Sequence, residues 1–181
     1  MDYQLKKPKR NCRLGVSTPT RRPATEEELG VLRALLSLQF GDDVAKALTS
    51  LPLLVERRRG KIRYVYAADG ERLMTLRPTD FMFTISLRAG EIIRASTRPP
   101  FMRVVVRGYE DGDVRGEMVL LADAGIRPGD EVLVVNENDE LLAVGKARAP
   151  GSLMARLKGQ DVVRVREVRR VGQGRNSSEG A

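Results

Sequence analysis

The sequence has no histidine, no tryptophan and a single cysteine, and aromatic residues make up 4% of it. Without histidine the commonest general base at neutral pH is missing, and with it every Ser-His or Cys-His nucleophile. The lone thiol, Cys12, has no partner for an internal disulfide, and the usual nitrogen and sulfur ligands for zinc are lacking. No metal and no cofactor are therefore expected. Carboxylates such as Asp80 and Asp123 fall in no motif that places two acids together, so the chain is not expected to be an enzyme. Nor does any apolar run approach the roughly 20 residues that cross a bilayer. The basic N-terminus lacks the apolar stretch of a secretion signal, which predicts a cytoplasmic protein without a membrane partner.

What is present is a globular composition, 41% hydrophobic and 31% charged, in 181 residues. That length accommodates one large domain or two small ones. The net charge is +8, and its distribution matters more than its sum. Residues 1–23 carry seven basic side chains against Asp2, leaving +6, whereas residues 24–170 carry 24 basic and 22 acidic ones, leaving +2. The body is nearly neutral, and the charge that favours a polyanion sits at its N-terminal end.

The stretch 1–23 mixes lysine, arginine and proline without periodicity and predicts a flexible basic arm. Thr25 followed by Glu28 is a capping box, opening a helix with Leu29, Leu32, Leu35 and Leu36 on one face. A second short helix follows from Asp42 to Ser50, with Val44, Ala47 and Leu48 inward. Three strands, 53–58, 61–67 and 71–77, are separated by turns at Arg59-Gly60 and Asp69-Gly70. Phe81, Phe83, Ile85 and Leu87 alternate with polar or smaller residues and predict a strand with one apolar face, Phe81 and Phe83 in the core. A helix over 87–94 completes an α+β domain spanning 24–95. Pro99-Pro100 marks a linker. Beyond it, five short strands (101–107, 116–122, 131–136, 140–147 and 161–168) predict a small β-barrel over 101–170. Residues 171–181 offer nothing to bury and predict a disordered tail.

The run IRPGDEVLVVNENDELLAVGKA, from Ile126 to Ala147, followed by Met154 and by Gly159 before a valine-rich strand, resembles the PUA domain. Upstream, FGDDVAKAL, GKIRYVYAADGERLMTLRPTDFMFTIS and LRAGEII look like the domain that precedes PUA in archaeal tRNA-guanine transglycosylases, the enzymes of archaeosine synthesis. The resemblance spans roughly residues 30–170. It implies an N-terminal α+β domain followed by a PUA-type barrel. It also implies a non-catalytic RNA-binding role, because the zinc-bearing catalytic barrel of those enzymes has no counterpart here. One departure is a shorter stretch between Gly116 and the Arg127-Pro128-Gly129-Asp130 turn. The opening Arg22-Pro23-Ala24-Thr25-Glu26-Glu27-Glu28 also resembles that of small ribosome-biogenesis PUA proteins.

Candidate contacts follow from strand alternation. Arg164 and Arg166 are expected on one face of the closing strand, about 7 Å apart, and Arg103 and Arg107 on one face of the first barrel strand. Arginine grips phosphate bidentately, so both pairs are candidate backbone contacts. Arg115 and Gly116 occupy the place where, in PUA domains, a small residue lets RNA approach. Arg57, Arg58, Arg59 and Lys61 form a basic hairpin able to supply electrostatic affinity. Tyr109 is the aromatic expected at the surface. The leading expectation is a protein that binds structured RNA, in particular tRNA, and assists a separate catalytic transglycosylase subunit. The alternatives are a ribosome-biogenesis factor binding ribosomal RNA and a protein-docking scaffold that binds no RNA.

Overall fold

The structure, a computed structural model, describes residues 20–169. The expected tail at 171–181 and most of the expected arm lie outside the described residues. Residues 20–23 of that arm are part of the fold. β1 (Arg22–Pro23) pairs antiparallel with β2 (Leu53–Arg58), Pro23 opposite Leu54. The guanidinium of Arg21 lies 4.0 Å from the centroid of the Tyr66 ring.

The capping box forms as the sequence predicts. The Glu28 amide donates to Thr25 Oγ1 at 3.3 Å, and the Thr25 amide donates to Glu28 Oε2 at 3.0 Å. This starts α1 (Glu26–Phe40), which ends at Gly41, where φ is +85°, a backbone state open to glycine at no steric cost. Leu32 and Leu36 are fully buried on its inner face. α2 (Asp42–Thr49) follows, burying Val44, Ala45 and Leu48. β2, β3 (Lys61–Ala67), β4 (Arg72–Leu76) and β5 (Phe83–Ile85) extend β1 into a five-stranded antiparallel sheet, in chain order. α3 (Leu87–Ser96) closes this unit.

The second unit is a six-stranded sheet of β6 (Arg103–Val106), β7 (Val114–Arg115), β8 (Val119–Ala122), β9 (Glu131–Val135), β10 (Leu141–Ala147) and β11 (Asp161–Val168), with a short α4 (Gly151–Met154). Its order is β7-β11-β10-β9-β6-β8, with β6 parallel to β9 and the other pairs antiparallel. The expected single strand over 116–122 is replaced by a 3₁₀ turn, Gly116–Met118, and β8. β7 and β8 are the two outer strands of the sheet, and that three-residue turn joins them. The sheet must therefore curl until its edges meet, which removes most of its open edge.

The sheets are separate, but their packing is not. Val132 and Val134 of β9 join the barrel interior, with Val104, Val114, Ala143 and Val162. Leu133 and Val135, on the opposite side of the same strand, join the core of the first unit with Leu32, Phe83 and Ile93. β9 is thus buried on both faces, which is why VLVV, after Glu131, reads as a continuous apolar run. α3 makes this contact through Gly90, where a Cβ would sit 2.8 Å from Val144 Cγ1 and 3.1 Å from Leu141 Cδ2.

Candidate nucleic-acid interface

The basic hairpin is built by its turn. Arg59 and Gly60 have φ of +51° and +78°, the two left-handed positions of a type I′ turn, whose twist matches that of the flanking strands. This leaves Arg57, Arg58, Arg59 and Lys61 exposed at the tip. Arg57 lies 3.3 Å from the Glu28 carboxylate and donates to the Gly60 carbonyl at 3.0 Å. Arg58 donates to Glu56 at 3.1 Å. Among the described residues Arg59 has no side-chain partner, and Lys61 Nζ stands 5.7 Å from the Phe81 ring centroid. All four line a groove of about 780 Å³ with Val31, Leu35 and Phe81. In the same groove Arg22 binds Glu28 bidentately, at 2.7 and 2.8 Å, and so holds its carboxyl below the ordinary value.

The structure corrects the reading of Phe81. It is not a core residue: its backbone has φ of +57°, it falls outside β5, and it is 49% exposed. The loop around it is pinned, with Arg77 N–H donating to the Met82 carbonyl, Phe81 N–H to the Arg77 carbonyl, and Asp80 accepting from Met82 N–H. Alternation from Phe83 cannot reach Phe81 across this turn.

Arg103 is a second correction. It shares its face of β6 with Val105 and Arg107, but α3 and the linker cover that face at Arg103, which is 1% exposed. Its guanidinium donates to Asp139 Oδ1 at 2.8 Å, Thr97 Oγ1 at 2.9 Å and the carbonyls of Arg94 and Phe101 at 2.8 and 2.9 Å. Every donor is committed to the protein, and none is free for a phosphate. Arg107, past the strand end, is exposed and pairs with Glu137 at 2.6 Å.

Arg164 and Arg166 are likewise divided. β11 carries one extra residue where the register shifts opposite Val144 and Gly145, and Arg166 is that residue. It forms an ion pair with Glu131, which also accepts from the Ile85 amide at 3.2 Å. Burial nevertheless keeps the Glu131 carboxyl above the ordinary value. Both arginines are exposed, but Arg164 has no side-chain partner among the described residues, and its cross-strand neighbour is Lys146. Two like charges directly opposite repel, and the other cross-strand neighbour of Lys146 is Glu131, on β9. Lys146 is invisible to alternation within one strand, because only the pairing of β10 with β11 brings it to Arg164.

Arg115 is exposed and stands 3.7 Å from Glu117 and 3.8 Å from Asp161. Gly116, beside it, is buried: a Cβ there would sit 2.2 Å from the Leu157 carbonyl oxygen and 2.8 Å from that of Met154. Its missing side chain makes room for the protein's own backbone, which corrects its reading as a point of RNA approach. Tyr109 is half-buried, donates to the Gly112 carbonyl at 2.8 Å, and has its hydroxyl pushed up to about 12 by burial and by Asp111 and Asp113. Among the described residues no three His, Cys, Asp or Glu side chains are grouped to hold a metal, and no helix is long and apolar enough to cross a membrane.

Comparison with known proteins matches residues 31–100 to the patch-forming domain C2 of tRNA-guanine transglycosylase and residues 113–169 to the PUA domain. The barrel is a PUA domain. Its sheet also takes in β6, upstream of the matched segment. The chain is homologous to the C-terminal region of archaeal tRNA-guanine(15) transglycosylases. With that of Pyrococcus abyssi it shares 36% identity over 151 residues, 80% of this chain and 26% of the relative. With that of Korarchaeum cryptofilum it shares 36% over 133 residues, 69% of this chain and 22% of the relative. The chain thus spans about a quarter of the length of these curated relatives. Two solved structures share the fold of the C2 and PUA domains together. One is a hypothetical protein of Pyrococcus horikoshii OT3 (TM-score 0.56, 21% identity, 82% of this chain and 94% of that one). The other is a conserved PUA domain protein of Thermoplasma acidophilum (TM-score 0.53, 17% identity, 82% and 93%).

Proposed function

We propose that the protein binds structured RNA, in particular tRNA, without catalysing a reaction, and serves a transglycosylase catalytic unit carried on a separate chain. The observation that carries this reading is the succession of C2 and PUA domains, similar over 151 residues to an enzyme whose name specifies guanine in tRNA. PUA domains bind RNA. Arg59, Lys61 and Arg164 supply exposed or half-exposed cations that hold no ion pair among the described residues, the property a phosphate contact requires, and Lys146 lies between Arg164 and Glu131. Arg57, Arg58, Arg107 and Arg115 hold surface ion pairs, which are worth little and exchange readily for phosphate. The test measures binding to tRNA, ribosomal RNA fragments and a single-stranded control, and guanine exchange by a transglycosylase with and without this chain. Preference for tRNA together with faster exchange supports the reading. Equal binding to all three RNAs and no effect on exchange would defeat it.

Binding of ribosomal RNA is the alternative that this test separates, and the opening segment that suggested it has a structural use here. Arg22, Thr25 and Glu28 of the opening segment are consumed by the cap of α1. A docking role has an observation of its own in Leu120 and Leu121 on β8, 41% and 57% exposed, with Leu153 of the adjacent α4 at 43%. We propose that this apolar patch meets the catalytic chain, leaving the basic surfaces to RNA.

A further inference from the structure

The groove beside the β2–β3 hairpin combines features the PUA barrel does not have. An exposed phenylalanine is held in a left-handed backbone state that residues other than glycine adopt only at a cost. Such strain persists only where the surroundings enforce it, and here three hydrogen bonds of the Arg77–Met82 loop do so. A glycine would have met the turn at no cost, and an aromatic ring left half in water gains little from burial in return. Its presence therefore points to a partner for the ring.

We propose that Phe81 is a stacking platform for an unpaired base of the bound RNA, with Arg58, Arg59 and Lys61 gripping the flanking phosphates. The inference deepens the RNA-binding reading and rests on it. The ring and the cations line one groove, and Lys61 lies over the ring at 5.7 Å from its centroid, the outer edge of cation–π range, where a phosphate can draw it away. Val31, 49% exposed, adds a second apolar surface against which a base can rest. The cations of the lining outnumber Glu27 and Glu28, which favours a polyanion. Inside a duplex every base face is already stacked, so the site reads an unpaired base in a bulge or a loop.

The test compares the full chain with Phe81→Gly and Phe81→Tyr, each titrated with a blunt RNA duplex and with the same duplex carrying a one-nucleotide bulge. Wild type is expected to prefer the bulged duplex by roughly 10-fold, the scale of base–aromatic stacking. Phe81→Gly should bind both duplexes equally, and Phe81→Tyr should keep the preference. Glycine suits the positive φ, so the melting temperature of Phe81→Gly should be unchanged or higher, which separates a missing stack from a missing fold. Wild-type preference retained in Phe81→Gly overturns the proposal while leaving RNA binding intact, and is the outcome expected if the groove takes an acidic peptide. No binding of either duplex or of tRNA by the wild type overturns the RNA-binding reading itself.

Discussion

At the scale of single residues, arginine serves two opposite purposes in this protein. Arg103 is among the most buried side chains, and its donors tie the end of α3, the linker and the β9–β10 hairpin together. Truncating a buried, fully bonded charge strands its partners, at a cost of about 3–5 kcal/mol. Arg103→Ala is therefore expected to lower stability in urea denaturation by that amount, with RNA affinity per folded molecule unchanged. A drop in affinity at full stability would return Arg103 to the interface. Arg164, on β11 and separated from β6 by two strands, is exposed and is paired across the ladder with Lys146. The sequence shows both as arginines in valine-rich strands, and only the layer that lies over each strand separates their roles.

Among elements, the start of α1 carries the most local chemistry. Glu28 closes the capping box, accepts Arg22 bidentately and stands 3.3 Å from Arg57, so one carboxylate fastens β1, α1 and the basic hairpin. Its carboxyl is held below the ordinary value of 4.5, first by the Arg22 hydrogen bond. The folded state thus favours the ionised form, and the stability this confers is present above about pH 4.5 and lost as pH falls through the depressed folded value. Glu28→Gln should cost about 1–2 kcal/mol near pH 7. The gap to wild type should narrow below pH 4.5, as read from thermal melts across pH 3–7, and a gap independent of pH would show that the charge contributes nothing. Glu131 runs the other way. Its raised value favours the protonated form in the fold, so its contribution is largest at low pH and fades as pH rises.

For the whole molecule, the shared core sets which surfaces remain for RNA. α3 covers β9 and the Leu141–Val144 part of β10, so the barrel is left with β11, β7, the Lys146 end of β10 and its loops as candidate contacts. The charge outside the described residues adds to this. Residues 1–19 hold five basic side chains against Asp2, whereas Arg21 and Arg22 are engaged with Tyr66 and Glu28. Removing residues 1–19 should weaken binding to tRNA and to a single strand alike. It should also flatten the salt dependence, by up to about 0.9 in slope for each phosphate that is no longer neutralised. Arg164→Ala with Lys146→Ala should instead lower affinity for tRNA more than for the single strand, because those cations are fixed on strands and demand a backbone shape. A salt titration of the three proteins with both RNAs checks this. If the arm deletion abolished all binding and the double variant bound like wild type, the barrel would not be the reader.

The sequence by itself determined what is local. The capping box at Thr25, the Arg59-Gly60 turn and the strand that begins at Glu131 each depend on neighbours within a few residues, and each is where the pattern places it. The absence of histidine bounded the chemistry in the same direct way, and the run from Ile126 to Ala147 carried enough turn and strand signals to be recognised. Tertiary structure decided everything that depends on what lies across a strand or above it. Period 2 gives the two faces of β6 but not that α3 covers Arg103. It fails at the bulge that sends Arg166 to Glu131, and it does not cross the tight loop that turns Phe81 outward. Lys146 and Arg164 are 18 positions apart and meet only through the pairing of β10 with β11. A surface that binds is an arrangement of residues distant in sequence, and their spacing is set by packing and register rather than by order along the chain.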